Sequence, residues 1–207
     1  MARAAARSTY PPVIGVPGGG LVNAHWAQND EVAAIGRRGE RRTANALDVL
    51  ASENGPTVLH DLVIPITGIT ANIDHVFVSG HTVVIVDTKV WRPGFYWTVG
   101  KTRRGLSLFP AADKRTLPMA ADAIGALLDR SGIRYHKTKL LMVVWPSNDR
   151  ARCSLWAYRP QGAAQVVTGG RIERGARTIL PSKPADQAIV AALAPLVSSI
   201  RNGRVRR

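Results

Sequence analysis

The clearest helical pattern in the chain covers residues 29 to about 50, where apolar positions recur near one side of a helical wheel. Gly36 and Gly39 lie on that same side, where a missing side chain lets a neighbouring backbone come close. Glu40 lies at the edge of the apolar stripe, about 80° from Val32 at roughly 100° per residue. The pattern therefore predicts a helix whose Glu40 carboxylate can point along the core surface toward a sheet.

Three runs rich in β-branched residues follow this helix, and Pro, Gly and Asn residues separate them. They cover residues 58–64, 73–79 and 82–90, and they predict an antiparallel meander. The later part of the chain predicts strands at 95–99, 140–145, 153–157 and 165–167, and helices at 118–130 and 185–194. The expected order is a helix, strands, a helix, strands and a helix.

Two acids, Asp74 and Asp87, lie on adjacent predicted strands. If Gly80 and His81 form a two-residue hairpin loop, the register places these acids directly opposite each other. Opposed side chains on an antiparallel pair have Cβ atoms roughly 4.5–5.5 Å apart, and like charges there are destabilising unless something compensates them. A divalent cation would supply that compensation. A longer loop would instead make the two acids diagonal neighbours, which a metal could still span.

Asp87 and Lys89 share a face of one predicted strand and lie about 6–7 Å apart along it. Magnesium prefers carboxylate oxygens and lowers the pKa of a bound water, and a nearby lysine can orient that water or stabilise charge on a phosphate. We therefore predict a Mg²⁺- or Mn²⁺-dependent catalytic site that combines Lys89 with three metal-binding acids, Glu40, Asp74 and Asp87. In the alternative interpretations, arginines neutralise the aspartates, Glu40 forms a salt bridge on the helix surface, and Lys89 is solvated.

The charge of the chain indicates a polyanionic partner. Lys and Arg number 28 against 14 Asp and Glu, which gives a net charge of +14 and a sequence pI near 11.1. Nucleic acid fits this charge, although a merely soluble basic protein is the alternative, and no long apolar run indicates a membrane span. The predicted nucleic-acid-binding residues are Arg37, Arg38, Arg41, Arg92, Lys101, Arg103 and Arg104.

Several aromatic residues follow the lysine closely. Trp91, Tyr96 and Trp97 could stack on bases or line a groove, with ordinary packing as the alternative interpretation. His75 follows Asp74 and so faces the opposite side of the sheet, where we expect a packed core histidine.

The length of 207 residues fits one folded domain, predicted at 29–200, between a flexible basic N-terminal segment at 1–28 and a basic tail at 201–207. The single cysteine, Cys153, cannot form an internal disulfide, and the N-terminal residues contain no apolar signal region. We therefore expect a cytoplasmic protein. The chain lacks zinc and nucleotide-cofactor motifs, including C-x-x-C, H-E-x-x-H and a P-loop.

Four short blocks, in this order and spacing, resemble the nuclease-related domain (NERD) family over roughly residues 31–130. The blocks are residues 35–40, 61–62, 73–78 and 84–89. That family is similar to the PD-(D/E)XK restriction-endonuclease-like superfamily. The resemblance implies an α/β fold with a restriction-endonuclease-like mixed central β-sheet flanked by α-helices. It also implies that Glu40 is the acid of the first helix, Asp74 the acid of a core strand, and Asp87 with Lys89 the acid-x-lysine motif.

Two positions depart from the family pattern. Asp87 stands where members often carry Glu, and the residues that follow Pro118 lack a glutamine that members commonly have there. The leading hypothesis is a metal-dependent nuclease that acts on DNA, with homodimerisation possible as in many nucleases of the superfamily. The alternatives are a catalytically weak nucleic-acid-binding module that retains the fold, and a protein-interaction domain whose acids are structural.

Overall fold

A computed structural model describes residues 10–18, 30–69 and 71–200 of the chain. The predicted tail at 201–207 and much of the predicted N-terminal segment at 1–28 lie outside the described residues. Within that segment, Val13–Ile14 form a short strand that pairs in parallel with Val58 and Leu59. This part of the segment is therefore attached to the sheet, and the division of the chain into a domain and two flexible ends stays a prediction.

The helices are α1 (Asp30–Asn54), α2 (Thr116–Arg130), α3 (Gly169–Ile179) and α4 (Gln187–Leu193). The strands are β1 (Val13–Ile14), β2 (Thr57–Val63), β3 (Asn72–Ser79), β4 (Thr82–Trp91), β5 (Gly94–Val99), β6 (Lys101–Arg104), β7 (Ser107–Leu108), β8 (His136–Pro146), β9 (Cys153–Ala157) and β10 (Gln165–Thr168). Short 3-10 turns occur at Pro110–Asp113, Gln161–Ala163 and Ala194–Leu196.

A large mixed sheet of six strands, in the order β1-β2-β3-β4-β8-β10, forms the centre of the fold. Strands β2, β3 and β4 are the predicted antiparallel meander, while β1, β8 and β10 pair in parallel with their neighbours. A small sheet of four strands, in the order β7-β6-β5-β9, follows the end of β4. None of the described helices is long and apolar enough to cross a membrane.

The large sheet is covered by helices on both faces, because successive side chains of each strand point to opposite sides. Val84 and Val86 of β4 pack in a cluster with residues of α1 and α3. Val83 and Ile85, the alternate residues, pack in a cluster with residues of α2 and α4. This layered α/β architecture confirms the predicted fold class, a mixed sheet flanked by helices that is consistent with a restriction-endonuclease-like fold.

Helix α3 was not expected from the sequence. Gly169, Gly170 and Gly175 lower the helix propensity of this segment. Packing overrides that propensity, since Ile172 is fully buried in the cluster with α1. Gly169 is required by this packing, because a Cβ atom there would lie 2.0 Å from the Trp145 ring.

Candidate active site

The hairpin between β3 and β4 brings Asp74 and Asp87 together. Ser79 pairs with Thr82 across the predicted two-residue loop, and the ladder continues in this register to the residues next to both acids. The next position places Asp74 opposite Asp87, so the predicted register is confirmed. Asp74 Oδ2 also accepts a 2.7 Å hydrogen bond from the backbone N–H of Thr88, which fixes one carboxylate oxygen against the neighbouring strand.

Lys89 and Asp87 form an ion pair on the same face of β4. The Lys89 Nζ atom donates to Asp87 Oδ1 over 2.6 Å. The second carboxylate oxygen, Asp87 Oδ2, is buried and has no hydrogen-bond partner within the part of the chain that the structure describes. A buried carboxylate oxygen without a partner is energetically costly. This atom is therefore the strongest candidate in the cluster for binding a cation or a hydrogen-bond donor.

A fourth acid, Asp61, lies on β2 beside Asp74 and Asp87, so that three aspartates stand side by side on adjacent strands. Asp61 lies opposite Asp74 across β2 and β3, because the residues on either side of the two acids pair with each other. Its backbone φ of 54° is in the left-handed region, and its Oδ1 atom accepts a 2.6 Å hydrogen bond from Asn72. Asp61 was not predicted as a site residue from the sequence. Its position beside Leu62 in the family-like blocks was the available signal, but the long β2–β3 connection left the register undetermined.

Glu40 is electrostatically coupled to the acids of the sheet. Burial, followed by the charges of Asp74 and Asp61, raises the pKa of Glu40 to about 9. Burial and the charge of Asp87 similarly raise the pKa of Asp74 to about 7. The structure thus brings together the four predicted residues, Glu40, Asp74, Asp87 and Lys89, and adds Asp61. The cluster therefore contains four carboxyl groups and one ammonium group, and their proximity favours the protonated forms of Glu40 and Asp74.

The pKa of Lys89 responds to the same charges. Burial alone would lower it, but the carboxylates of Asp87, Asp74 and Glu40 outweigh burial and raise it above its ordinary value. Lys89 is therefore a stable cation at neutral pH. A persistent ammonium group can hold a water molecule or a phosphate oxygen as a donor without itself losing a proton.

The donor set partly fits a hard divalent cation. Among residues 10–18, 30–69 and 71–200, no three Asp, Glu, His or Cys side chains form a ready-made metal site. Magnesium commonly uses only one or two protein carboxylates and completes its coordination with waters and substrate phosphates. Asp74 and Asp87 meet that smaller requirement, and the unpartnered Asp87 Oδ2 atom is a free ligand position.

A buried chain of hydrogen bonds supports the cluster from the other face of the sheet. His60 Nε2 lies 2.8 Å from Asp48 Oδ1, and His60 Nδ1 lies 2.8 Å from His75 Nδ1. His75 Nε2 is 3.4 Å from the Thr88 hydroxyl, which lies 3.0 Å from that of Thr43. Burial, with a smaller contribution from His60, holds the pKa of His75 well below its ordinary value. The predicted core position of His75 is confirmed.

The family comparison covers this cluster. The family model of the nuclease-related domain, NERD, matches residues 35–114. Within this stretch the chain is similar to the nuclease-related domain family, and the match covers 80 of the 207 residues. The matched stretch begins in α1 and ends just before α2, so it contains Glu40, Asp61, Asp74, Asp87 and Lys89. No curated protein and no solved structure matches the chain.

The predicted nucleic-acid-binding residues fall into two groups in the structure. The first group lies on α1 and consists of Arg37, Arg38 and Arg41. The second group lies in or just before the small sheet and consists of Arg92, Lys101, Arg103 and Arg104. Arg42, by contrast, pairs with Asp149 over 2.8 Å and with Glu173 over 3.2 Å, so its charge is used within the fold.

Two of the three aromatic residues considered for base stacking are packed inside the protein. Trp91 is 5% exposed and Tyr96 is fully buried, and their rings lie 4.8 Å apart. The packing interpretation is therefore correct for these two. Trp97 remains partly exposed, with the guanidinium of Arg103 at 5.2 Å from its ring centre.

The close contact at Gly39 couples the position of Glu40 to β4. A Cβ atom at Gly39 would lie 2.3 Å from Val90 Cγ2, so Gly39→Ala is expected to destabilise the fold by about 1–3 kcal/mol through overpacking. The higher helix propensity of alanine offsets up to about 1 kcal/mol of this loss. Urea unfolding of Gly39→Ala, Val90→Ala and the double variant measures the coupling. The double variant is expected to lose less stability than the two single variants together, and strictly additive losses would contradict the contact.

Proposed function

We propose that the protein hydrolyses phosphodiester bonds in nucleic acid, with DNA as the preferred substrate and Mg²⁺ or Mn²⁺ as the cofactor. The observation that carries the proposal is the buried, unpartnered Asp87 Oδ2 atom beside Lys89, within a cluster of four acids. An anionic cluster of this kind is costly unless a cation compensates it. A divalent cation would supply that compensation.

Asp74 and Asp87 would hold the cation, and Glu40 is the third acid of the proposed set. When bound, such a cation supplies Lewis acidity and a water molecule of lowered pKa. Lys89 would then donate a hydrogen bond to the attacking water or to a non-bridging oxygen of the scissile phosphate, where negative charge develops. Thr88 contributes through its backbone, because its N–H holds one oxygen of Asp74 in place.

Basic side chains outside the acid cluster would bind the nucleic-acid backbone. Arg37, Arg38 and Arg41 lie on the same helix as Glu40, so phosphates bound there run close to the proposed site. Such contacts supply affinity without sequence information and weaken as salt rises. This assignment explains why a chain with a net charge of +14 carries a compact group of acids.

A second candidate function is nucleic-acid binding with little or no catalysis. Two observations support it. Lys89 Nζ already donates a hydrogen bond to Asp87 Oδ1, and the described residues contain no preassembled set of three metal-binding side chains. In that case the ammonium group, and not a metal, would neutralise Asp87. The two candidates differ in their dependence on added metal.

Cleavage assays separate the two candidates. We expect purified protein to convert supercoiled plasmid to nicked or linear forms with Mg²⁺ or Mn²⁺, and not with EDTA. Asp87→Asn is expected to lower the rate by about 100-fold or more, since it removes a charged ligand from the site. Asp129→Asn is the matched control, because it makes the same change at an exposed position on α2. Metal-independent retention of DNA without cleavage would support the binding module.

A further inference from the structure

The small sheet exposes a face rich in aromatic and basic side chains. Its inner side packs Tyr96 and Cys153 against Met142 and Val144 of β8. The residues that alternate with these point outward and form what we call the outer face: Phe95, Trp97, Val99, Lys101, Arg103, Leu108, Trp156. This face is built by strands β5, β6, β7 and β9 and lies beyond the end of β4, which carries Lys89.

Two aromatic rings stand together on the outer face. Trp156 is 76% exposed and Phe95 is 38% exposed, and their rings stack at 5.4 Å with 30° between their planes. Phe95 therefore supports one face of the indole while most of the indole remains in contact with water. An exposed tryptophan that a neighbouring ring holds in place can stack with a flat, unpaired base.

Trp97 forms a second stacking position on the outer face. Its indole N–H donates a 2.8 Å hydrogen bond to the carbonyl oxygen of Gly105, which fixes the ring orientation. Arg103 pairs with Trp97 across β5 and β6 and lies over its ring. A guanidinium group beside an aromatic ring offers both a planar stacking surface and a positive charge for phosphate.

The charges around the outer face select the class of partner. Residues 92–112 and 150–172, which contain all four strands of the small sheet, include no Asp or Glu. Every charged side chain in these two segments is Lys or Arg. A second copy of this face would meet like charge, whereas a polyanion meets complementary charge.

We propose that the outer face binds single-stranded nucleic acid, with bases stacked on Trp156 and Trp97 and with phosphates on Lys101 and Arg103. Unpaired strands are favoured over duplex, because base faces are accessible for stacking only when they are free of their neighbours. This inference rests on the proposed function, in that it names nucleic acid with single-stranded segments as the substrate class of the same protein.

Binding assays without metal test the outer face independently of cleavage. The probe is a fluorescein-labelled oligothymidylate of about 20 nucleotides, in EDTA, with anisotropy as the readout. Trp156→Ala is expected to weaken binding by about ten-fold, the loss of roughly one stacked base. Trp156→Phe is expected to retain most of the affinity. Val49→Ala, which removes an exposed apolar side chain on α1, is the control and is expected to bind as the unaltered protein does.

Several outcomes would overturn the inference. Equal affinity of Trp156→Ala and unaltered protein for the oligonucleotide would do so, as would equal losses for the oligonucleotide and for the same sequence as a duplex. Gel filtration that shows Trp156→Ala converting a dimer to a monomer would reassign the face to self-association. A protein that cleaves plasmid but binds independently of Trp156 contradicts only the outer-face proposal. Trp156-dependent binding without any cleavage supports the outer face and contradicts only the nuclease.

Discussion

Lys89→Met is expected to lower the rate of metal-dependent DNA cleavage by about 100-fold or more. The ammonium group is the one cation in direct contact with Asp87 among the described residues. In the proposed mechanism it donates to the attacking water or to the scissile phosphate, where negative charge develops. Methionine keeps an unbranched side chain of similar length but donates no hydrogen bond. The rate of plasmid cleavage under saturating Mg²⁺ measures the effect.

Two further lysine variants separate catalysis from charge and from folding. Lys89→Arg keeps a positive charge for Asp87, so its melting temperature is expected to stay close to that of the unaltered protein, while the planar guanidinium is misplaced for the phosphate and cleavage falls. Lys139→Met, at an exposed position on β8, is expected to leave both quantities unchanged. Cleavage by Lys89→Met at the unaltered rate would remove Lys89 from the proposed mechanism.

In the absence of divalent metal, the melting temperature is expected to fall by about 5–9 °C between pH 7 and pH 9. The pKa of Glu40 is raised from 4.5 to about 9 in the folded protein. Between these values the folded chain binds more protons than the unfolded chain, so stability decreases as pH rises. Asp74, with a pKa of about 7, contributes in the same direction mainly below this interval. His75 is neutral throughout it.

Glu40→Gln is expected to remove much of this pH dependence, because glutamine carries no charge that must be buried. Glu31→Gln makes the same change at an exposed position of α1 and is expected to retain the dependence. Added Mg²⁺ is expected to restore stability at pH 9 in the unaltered protein and not in Asp87→Asn. Identical melting curves for Glu40→Gln and Glu31→Gln across this interval would contradict the coupled acid cluster.

Local signals in the sequence predicted the part of the site that depends on short connections. The two-residue loop at Gly80 and His81 determines the β3–β4 register, and the register alone places Asp74 opposite Asp87. The helical period likewise predicted that Glu40 can point toward the sheet, as its coupling to Asp74 and Asp61 confirms. These inferences hold because each depends on residues that are close together in the chain. However, Val32, the reference for the predicted stripe, is 49% exposed, and Glu40 lies among the buried positions of α1 and not at their edge.

Features that depend on contacts between residues far apart in the sequence were not predicted. Asp61 lies beside Asp74 because of the β2–β3 register, which the long connection between these strands does not reveal. Helix α3 forms because Ile172 is buried against α1. The small sheet pairs β5 in parallel with β9, about sixty residues later, so nothing near Phe95 in the sequence indicates that Trp156 lies beside it. Tertiary packing, and not local propensity, determines these features.

The short strand β1 bears on where the chain can be shortened. The composition of the chain suggests residue 29 as the start of a shortened protein. Such a protein would lack β1 and would leave the outer edge of β2 unpaired, where the Val58 amide donates to the Pro12 carbonyl oxygen over 2.8 Å. It would also lack Gly18, whose position lies against Glu40. Uncovered strand edges promote aggregation. Poor solubility of such a fragment would therefore reflect a missing sheet edge and would say nothing about the chemistry of the acids.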